Sequence, residues 1–145
     1  MLPYITGFIL SDETREIHNN NGASKEMQIV NPRNIIRPPF LPATPSFTVS
    51  TGILNLALDE KHTLMFKIID PNEQEIFSTN KIELPFHDSI DNQLPREAHG
   101  LNINLNLKDV PLRKSGKYTA QITIDENIAG NFGFYVYPME QESNE

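Results

Sequence analysis

Polar and apolar positions along this chain alternate in short runs, and no segment sustains the helical period of about 3.6. Residues 3–10 (PYITGFIL) predict a first strand, rich in β-branched and aromatic residues. The polar stretch 11–26 has room for a hairpin around Asn21–Gly22, a pair that accepts the positive φ angles of a tight turn. MQIVNP predicts a short second strand ending at Pro32. From Ser46 the β signal is steady. SFTVSTGILNL puts Phe47 and Val49 on one side, with Gly52 marking a bulge or bend. HTLMFKIID turns Leu64, Phe66 and Ile68 inward, DPNEQE is a turn, and EIFSTNKIEL is the return strand. A long polar connection, 85–100, leads to LNINLNL. KDVPLRKSG, KYTAQITI, the DEN turn and IAGNFGFYVYP close the pattern, with room for one helical turn in 106–114. Two glycines at 130 and 133 predict a bulge in the last strand. Roughly seven to nine strands with turns every 8–12 residues predict an all-β, antiparallel β-sandwich. It spans 1–138 as one domain, followed by a frayed acidic tail, 139–145.

The segment 31–45 (NPRNIIRPPFLPATP) breaks the alternation. It holds five of the eleven prolines, which excludes a central strand or helix interior. Its Ile35, Ile36, Phe40 and Leu41 are too apolar for a free linker, so it should lie extended along an edge or end of the fold. In LNINLNL, leucine and isoleucine share one side and Asn102, Asn104 and Asn106 the other. Three buried, unbonded amides would each cost about 1–3 kcal/mol, and no neighbouring sequence obviously satisfies them. They should therefore face water or a wet partner surface. In the last strand Phe134 and Val136 oppose Tyr135 and Tyr137, so both faces want cover. The proline-rich segment or a partner would supply it for the tyrosines.

Composition narrows the function. With 145 residues, 38% of them hydrophobic, the chain can bury a core. It has no cysteine, which excludes disulfides, thiolate nucleophiles and cysteine zinc sites and favours the cytoplasm. Net charge −7 opposes direct nucleic-acid binding and adhesion to anionic membranes. No run reaches the ~18 apolar residues of a membrane span, and the N-terminus is a poor signal peptide.

The stretch PLRKSGKYTAQITIDENIAGNFGFYVYP has the cadence of the last hairpin of an immunoglobulin-like domain. Tyr118 stands where such domains place a tyrosine corner, without their cysteine and tryptophan hallmarks. Across most of the chain, the order of YITGFI, VNP, RPPFLPATPSFTVSTGIL, DPNEQEI and GKYTAQITIDE resembles a family of small uncharacterised bacterial proteins, mainly of Gram-positive genomes and their mobile elements. That resemblance implies a β-sandwich in a bacterial or phage cytoplasm, and carries no activity or active-site residues with it.

No catalytic spacing emerges. There is no Gly-x-Ser-x-Gly elbow, phosphate loop or dinucleotide fingerprint, and Asp70–Glu75 is too short for an EF-hand loop. His87, Asp88, Asp91, Glu97 and His99 form the best candidate grouping for a metal, in a spacing that matches no ligand motif and that a solvated surface loop explains better. His18 and His62 stand in polar contexts that predict exposure. The expectation is a non-enzymatic interaction module with no cofactor and an unidentified protein partner. The candidate contacts are Asn102, Asn104, Asn106, Tyr135 and Tyr137, and an exposed edge strand would allow a homodimer. Two other readings are an accessory protein that blocks a host nuclease or defence complex, and a metal-dependent hydrolase using the 87–99 loop.

Overall fold

The computed structural model describes residues 2–18, 25–85 and 93–139. Eleven strands appear among them: β1 (Tyr4–Ser11), β2 (Glu13–His18), β3 (Lys25–Val30), β4 (Ile35–Ile36), β5 (Phe47–Leu54), β6 (Thr63–Ile69), β7 (Glu75–Ser78), β8 (Ile82–Glu83), β9 (Gly100–Leu107), β10 (Gly116–Ile124) and β11 (Asn127–Val136). The period-two apolar sets explain the two main sheets. One runs β1-β5-β9; the other runs β4-β11-β10-β6-β7, with β8 also on β6. Leu10, Val49, Ile53 and Leu107 of the first pack with Phe66, Ile68, Ile122, Phe134 and Val136 of the second in one core. Each such side chain, fully buried, contributes about 1.5–3 kcal/mol. Rings join the layers, with Phe8 stacked on Phe132 at 4.9 Å and Phe47 edge-on to Phe134 at 6.5 Å. The chain is thus an all-β sandwich whose main strands pair antiparallel.

One pairing departs from that rule. Within the proline-rich segment, Ile35–Ile36 lies parallel to Tyr135–Val136 as a two-residue edge strand. Past it, Ala43 and Leu112 exchange backbone hydrogen bonds of 2.8 Å in both directions. This pairing holds Leu112 extended, so the helical turn expected in 106–114 does not form. Among the described residues a 3-10 turn stands at Arg96–Ala98 instead. The amide of Met139 donates to the Pro38 carbonyl at 2.7 Å. The rest of the tail, 140–145, lies outside the described residues.

Three local expectations shift. The bulge assigned to Gly52 sits on the partner strand, where β1 carries an extra residue, Thr6, between Ile5 and Gly7. A Cβ at Gly52 would collide with the Thr6 hydroxyl, so the glycine admits the bulge. The return strand expected over 75–84 divides into β7 and β8. Thr79 intervenes, its hydroxyl accepting from the Phe66 amide at 3.0 Å. The bulge in the last strand falls at Ala129, between Ile128 and Gly130.

His62, expected to be exposed, is not. Its side chain is 9% accessible, and both ring nitrogens face acceptors: Asp125 Oδ2, and the Ala57 carbonyl at 2.7 Å. Two acceptors require two N–H groups, so the geometry fits the imidazolium. Burial opposes that charge. The hydrogen bonds to Asp125 and Ala57, with the charges of Asp125 and Glu60, outweigh burial and raise the pKa above 6.5. The clamp therefore contributes fully below pH 6.5, the unfolded value, and its contribution is lost as pH rises through the higher folded value. The melting temperature should fall over that window, and the fall should vanish in His62→Gln. Equal pH slopes in the two proteins would count against the clamp.

Candidate functional site

The β2–β3 hairpin gives the first sheet its outer topography. Its connection, 19–24, lies outside the described residues, but its base is well defined. Asp12 accepts from the Asn31 amide at 2.7 Å and the Arg33 guanidinium at 2.9 Å. The hydrogen bonds from Arg33 and then Asn31 hold its carboxyl below the ordinary carboxylate range. Asp12 N donates to Val30 O, and Arg33 N to Leu10 O. Together these turn the hairpin at the end of β1, where Met27 and Ile29 reach the outer face of the first sheet.

A groove of about 430 Å³ lies there. Thr6, Ser50, Gly52, Asn102 and Asn104 give it a polar floor, and Ile9, Met27 and Ile29 give it apolar walls. The floor follows from register. β5 and β9 pair Thr48 with Asn106, Ser50 with Asn104 and Gly52 with Asn102, so one hydroxyl ladder lies beside one amide ladder. Thr48 Oγ1 donates to Asn106 Oδ1 at 2.9 Å, and Ser50 Oγ to Asn104 Oδ1 at 2.6 Å. This corrects the expectation that no neighbouring sequence satisfies the amides. The polar alternate positions of β5 do so for Asn104 and Asn106, while Asn102 stands opposite Gly52, and Thr48 and Ser50 are themselves buried. Asn104 is half-buried, while Asn102 and Asn106 are exposed. The bonded oxygens leave the amide NH2 groups as donors.

Among the described residues, none that lines the groove is titratable. What these residues offer is hydrogen bonding and apolar contact. A second pocket, about 330 Å³, does hold charges: Asp70, Glu75, Arg113 and Lys114 beside Tyr118. Its buried carboxylate, Asp70, is committed to structure. Asp70 Oδ1 accepts from the amides of Asn72 at 2.8 Å and Gln74 at 2.9 Å. The Gln74 bond is the chief reason the Asp70 pKa lies below its ordinary value.

The other sequence candidates divide. His87, Asp88 and Asp91 lie outside the described residues. His99 is buried, its Nε2 3.2 Å from the Leu94 carbonyl, and Glu97 sits in the 3-10 turn. Among the described residues no group of three metal-ligating side chains occurs. Tyr135 and Tyr137 are stacked at 6.3 Å and are 42% and 40% exposed, with Phe134 and Val136 buried behind them. They lie on the sheet opposite the amide ladder, so the structure does not join the two sets of candidate contacts. Met27, Ile29, Thr6 and Ser50 were not singled out in the sequence. The polar alternation of β5 was the available signal, and only its register with β9 turns that signal into a site.

DUF6941, described as a family of unknown function, matches residues 10–137. The chain belongs to DUF6941. The matched span includes the hairpin, β5, β9 and both tyrosines, while Thr6, Gly7 and Ile9 of the groove precede it. No curated protein matches this DUF6941 chain. Among solved structures it is similar to the Pseudomonas fluorescens alkylpurine DNA glycosylase AlkC, bound to DNA containing an abasic site analog. Identity is 8% and the TM-score 0.47, over 92% of this chain and 30% of that one. No helix among the described residues is long and apolar enough to cross a membrane.

Proposed function

We propose that this DUF6941 protein is a non-catalytic binding module whose groove takes a short, extended, uncharged segment of a partner protein. The observation that carries this reading is a groove with an amide and hydroxyl floor, apolar walls and no titratable group among its described residues. Its volume of about 430 Å³ is within the range of ligand-sized clefts. Uncharged donors and acceptors on the floor match a peptide backbone, and they favour no charged side chain. Met27, half-exposed on the wall, adapts its shape to different apolar side chains. The cadence of the closing hairpin, with the Tyr118 hydroxyl bonded to the Lys114 backbone, supports an immunoglobulin-like sandwich. The cysteine-free composition and the resemblance to Gram-positive and mobile-element proteins support a bacterial cytoplasmic setting.

A displayed library of random heptapeptides tests the reading. Panning should enrich uncharged sequences, and a synthetic peptide of the consensus should shift the Asn102 and Asn104 side-chain amide resonances. Met27→Glu, which puts a carboxylate on an exposed wall position, should weaken that peptide at least about tenfold without lowering the melting temperature. No enrichment, or enrichment that Met27→Glu leaves untouched, removes the groove from consideration.

A further inference from the structure

We propose that the outer edge of β9 pairs with β9 of a second copy of this chain, in an antiparallel ladder centred on Asn104. The inference goes beyond the groove and does not depend on it. Sheet edges are pairing templates unless something blunts them, and the other edges here are blunted. β4 has two residues and runs into Pro38–Pro39. β1 carries the Thr6 bulge, and its end is bridged by Arg33. β7 has four residues, starts at an exposed Glu75 and has a register shift against β6; β8 has two residues. The hairpin strands β2 and β3 carry Glu13, Arg15, Glu16 and Glu26. β9 has none of these devices. It pairs with β5 over all eight residues without a register shift, and Leu101–Leu107 contains no charge and no proline. Among the described residues no strand pairs with its other side.

The occupant follows from the sequence of the strand itself. Read in either direction, LNINLNL has the same pattern of amide and branched apolar side chains. A two-fold axis at Asn104 sets Leu101 opposite Leu107, Asn102 opposite Asn106, and Ile103 opposite Leu105. Each amide then meets an amide, which both donates and accepts, and each apolar side chain meets another. A slip of one residue would set every facing apolar residue against an asparagine, and a slip of two keeps the pattern but leaves two of the seven residues without a partner in the stretch, so the Asn104 centre pairs the most. Pairing would further cover Leu101, Ile103 and Leu105, which are core-facing but only partly buried in one copy. The uncharged strand also offers contact without local charge repulsion between two chains of net charge −7. The result is an isologous interface and one continuous sheet, β1-β5-β9 followed by its symmetric copy.

Sedimentation equilibrium of the full chain tests this, with two double variants at the same exposed positions. Wild type should sediment at twice 16.5 kDa. Asn102→Lys with Asn106→Lys places like charges opposite each other twice and should weaken the dimer on the order of a hundredfold. Asn102→Lys with Asn106→Glu places opposite charges at the same two contacts and should remain a dimer. Both variants lose the native amides at positions 102 and 106, so a folding defect common to both would appear in their melting curves. A monomeric wild type, including one that takes an extended peptide on this edge, overturns the proposal. So does a dimer that both variants keep or that both lose. Met27→Glu should leave the dimer intact, which separates failure of this interface from failure of the groove.

Discussion

Tyr118→Ala is expected to destabilise the fold by about 3–5 kcal/mol, the range for removing a buried aromatic ring. Tyr118 is 1% exposed, and its ring packs on Phe134 at 5.6 Å in the middle of the core. Its hydroxyl donates to the Lys114 carbonyl at 2.7 Å and accepts from the Lys114 amide at 3.3 Å. Burial raises the phenol pKa, so the hydroxyl stays protonated and able to donate. Tyr118→Phe separates the two roles. It keeps the ring and loses only the bonds to Lys114, so it should cost about 1–2 kcal/mol. Urea denaturation of both variants checks this. If phenylalanine costs as much as alanine, the hydroxyl and not the ring holds the corner. If alanine costs less than about 2 kcal/mol, the packing account is wrong.

Gly100→Ala should cost upwards of about 3 kcal/mol, because the clash is with backbone and not with a movable side chain. A Cβ at this position would run into the Ile53 carbonyl oxygen, lie 2.8 Å from the carbonyl carbon and lie 3.0 Å from Leu54 Cα. Gly100 pairs with Leu54 at the first rung of β9, so the strand must lift away from β5 there. The change is confined to one end of the ladder. Amide exchange should quicken first at Leu101 and Asn102, while the β10–β11 hairpin keeps its protection until global unfolding. Gly100→Ala with wild-type stability and exchange would mean that β9 starts later than its pairing with β5 indicates.

Much of the architecture is legible in single residues. Alternation in 101–107 and 117–124 gives strands and inward faces, and Phe134 and Val136 are buried as their spacing implies. The Asp125–Glu126 turn follows from the break between two alternating runs, although both residues take positive φ, 50° and 68°, that the sequence does not advertise. His62 was not legible. Its partner Asp125 is 63 residues away, and nothing local distinguishes it from an exposed histidine. The missing helical turn at 106–114 has the same cause, since Ala43, distant in sequence, supplies the hydrogen bonds that keep Leu112 extended.

By itself the sequence determined which face of each strand is apolar, because the pleat alternates side chains whatever the neighbours are. It also determined the self-complementary pattern of LNINLNL and the absence of cysteine chemistry. Only the tertiary structure decided which strands are neighbours. Pairing β5 with β9 brings Ser50 to Asn104 across 54 residues and gives that amide a hydrogen bond at the floor of the groove. Folding the hairpin back at Asp12 and Arg33 puts Met27 and Ile29 above that floor. Long-range pairing is set by total burial and loop closure over the whole chain, and no local window of sequence contains those terms.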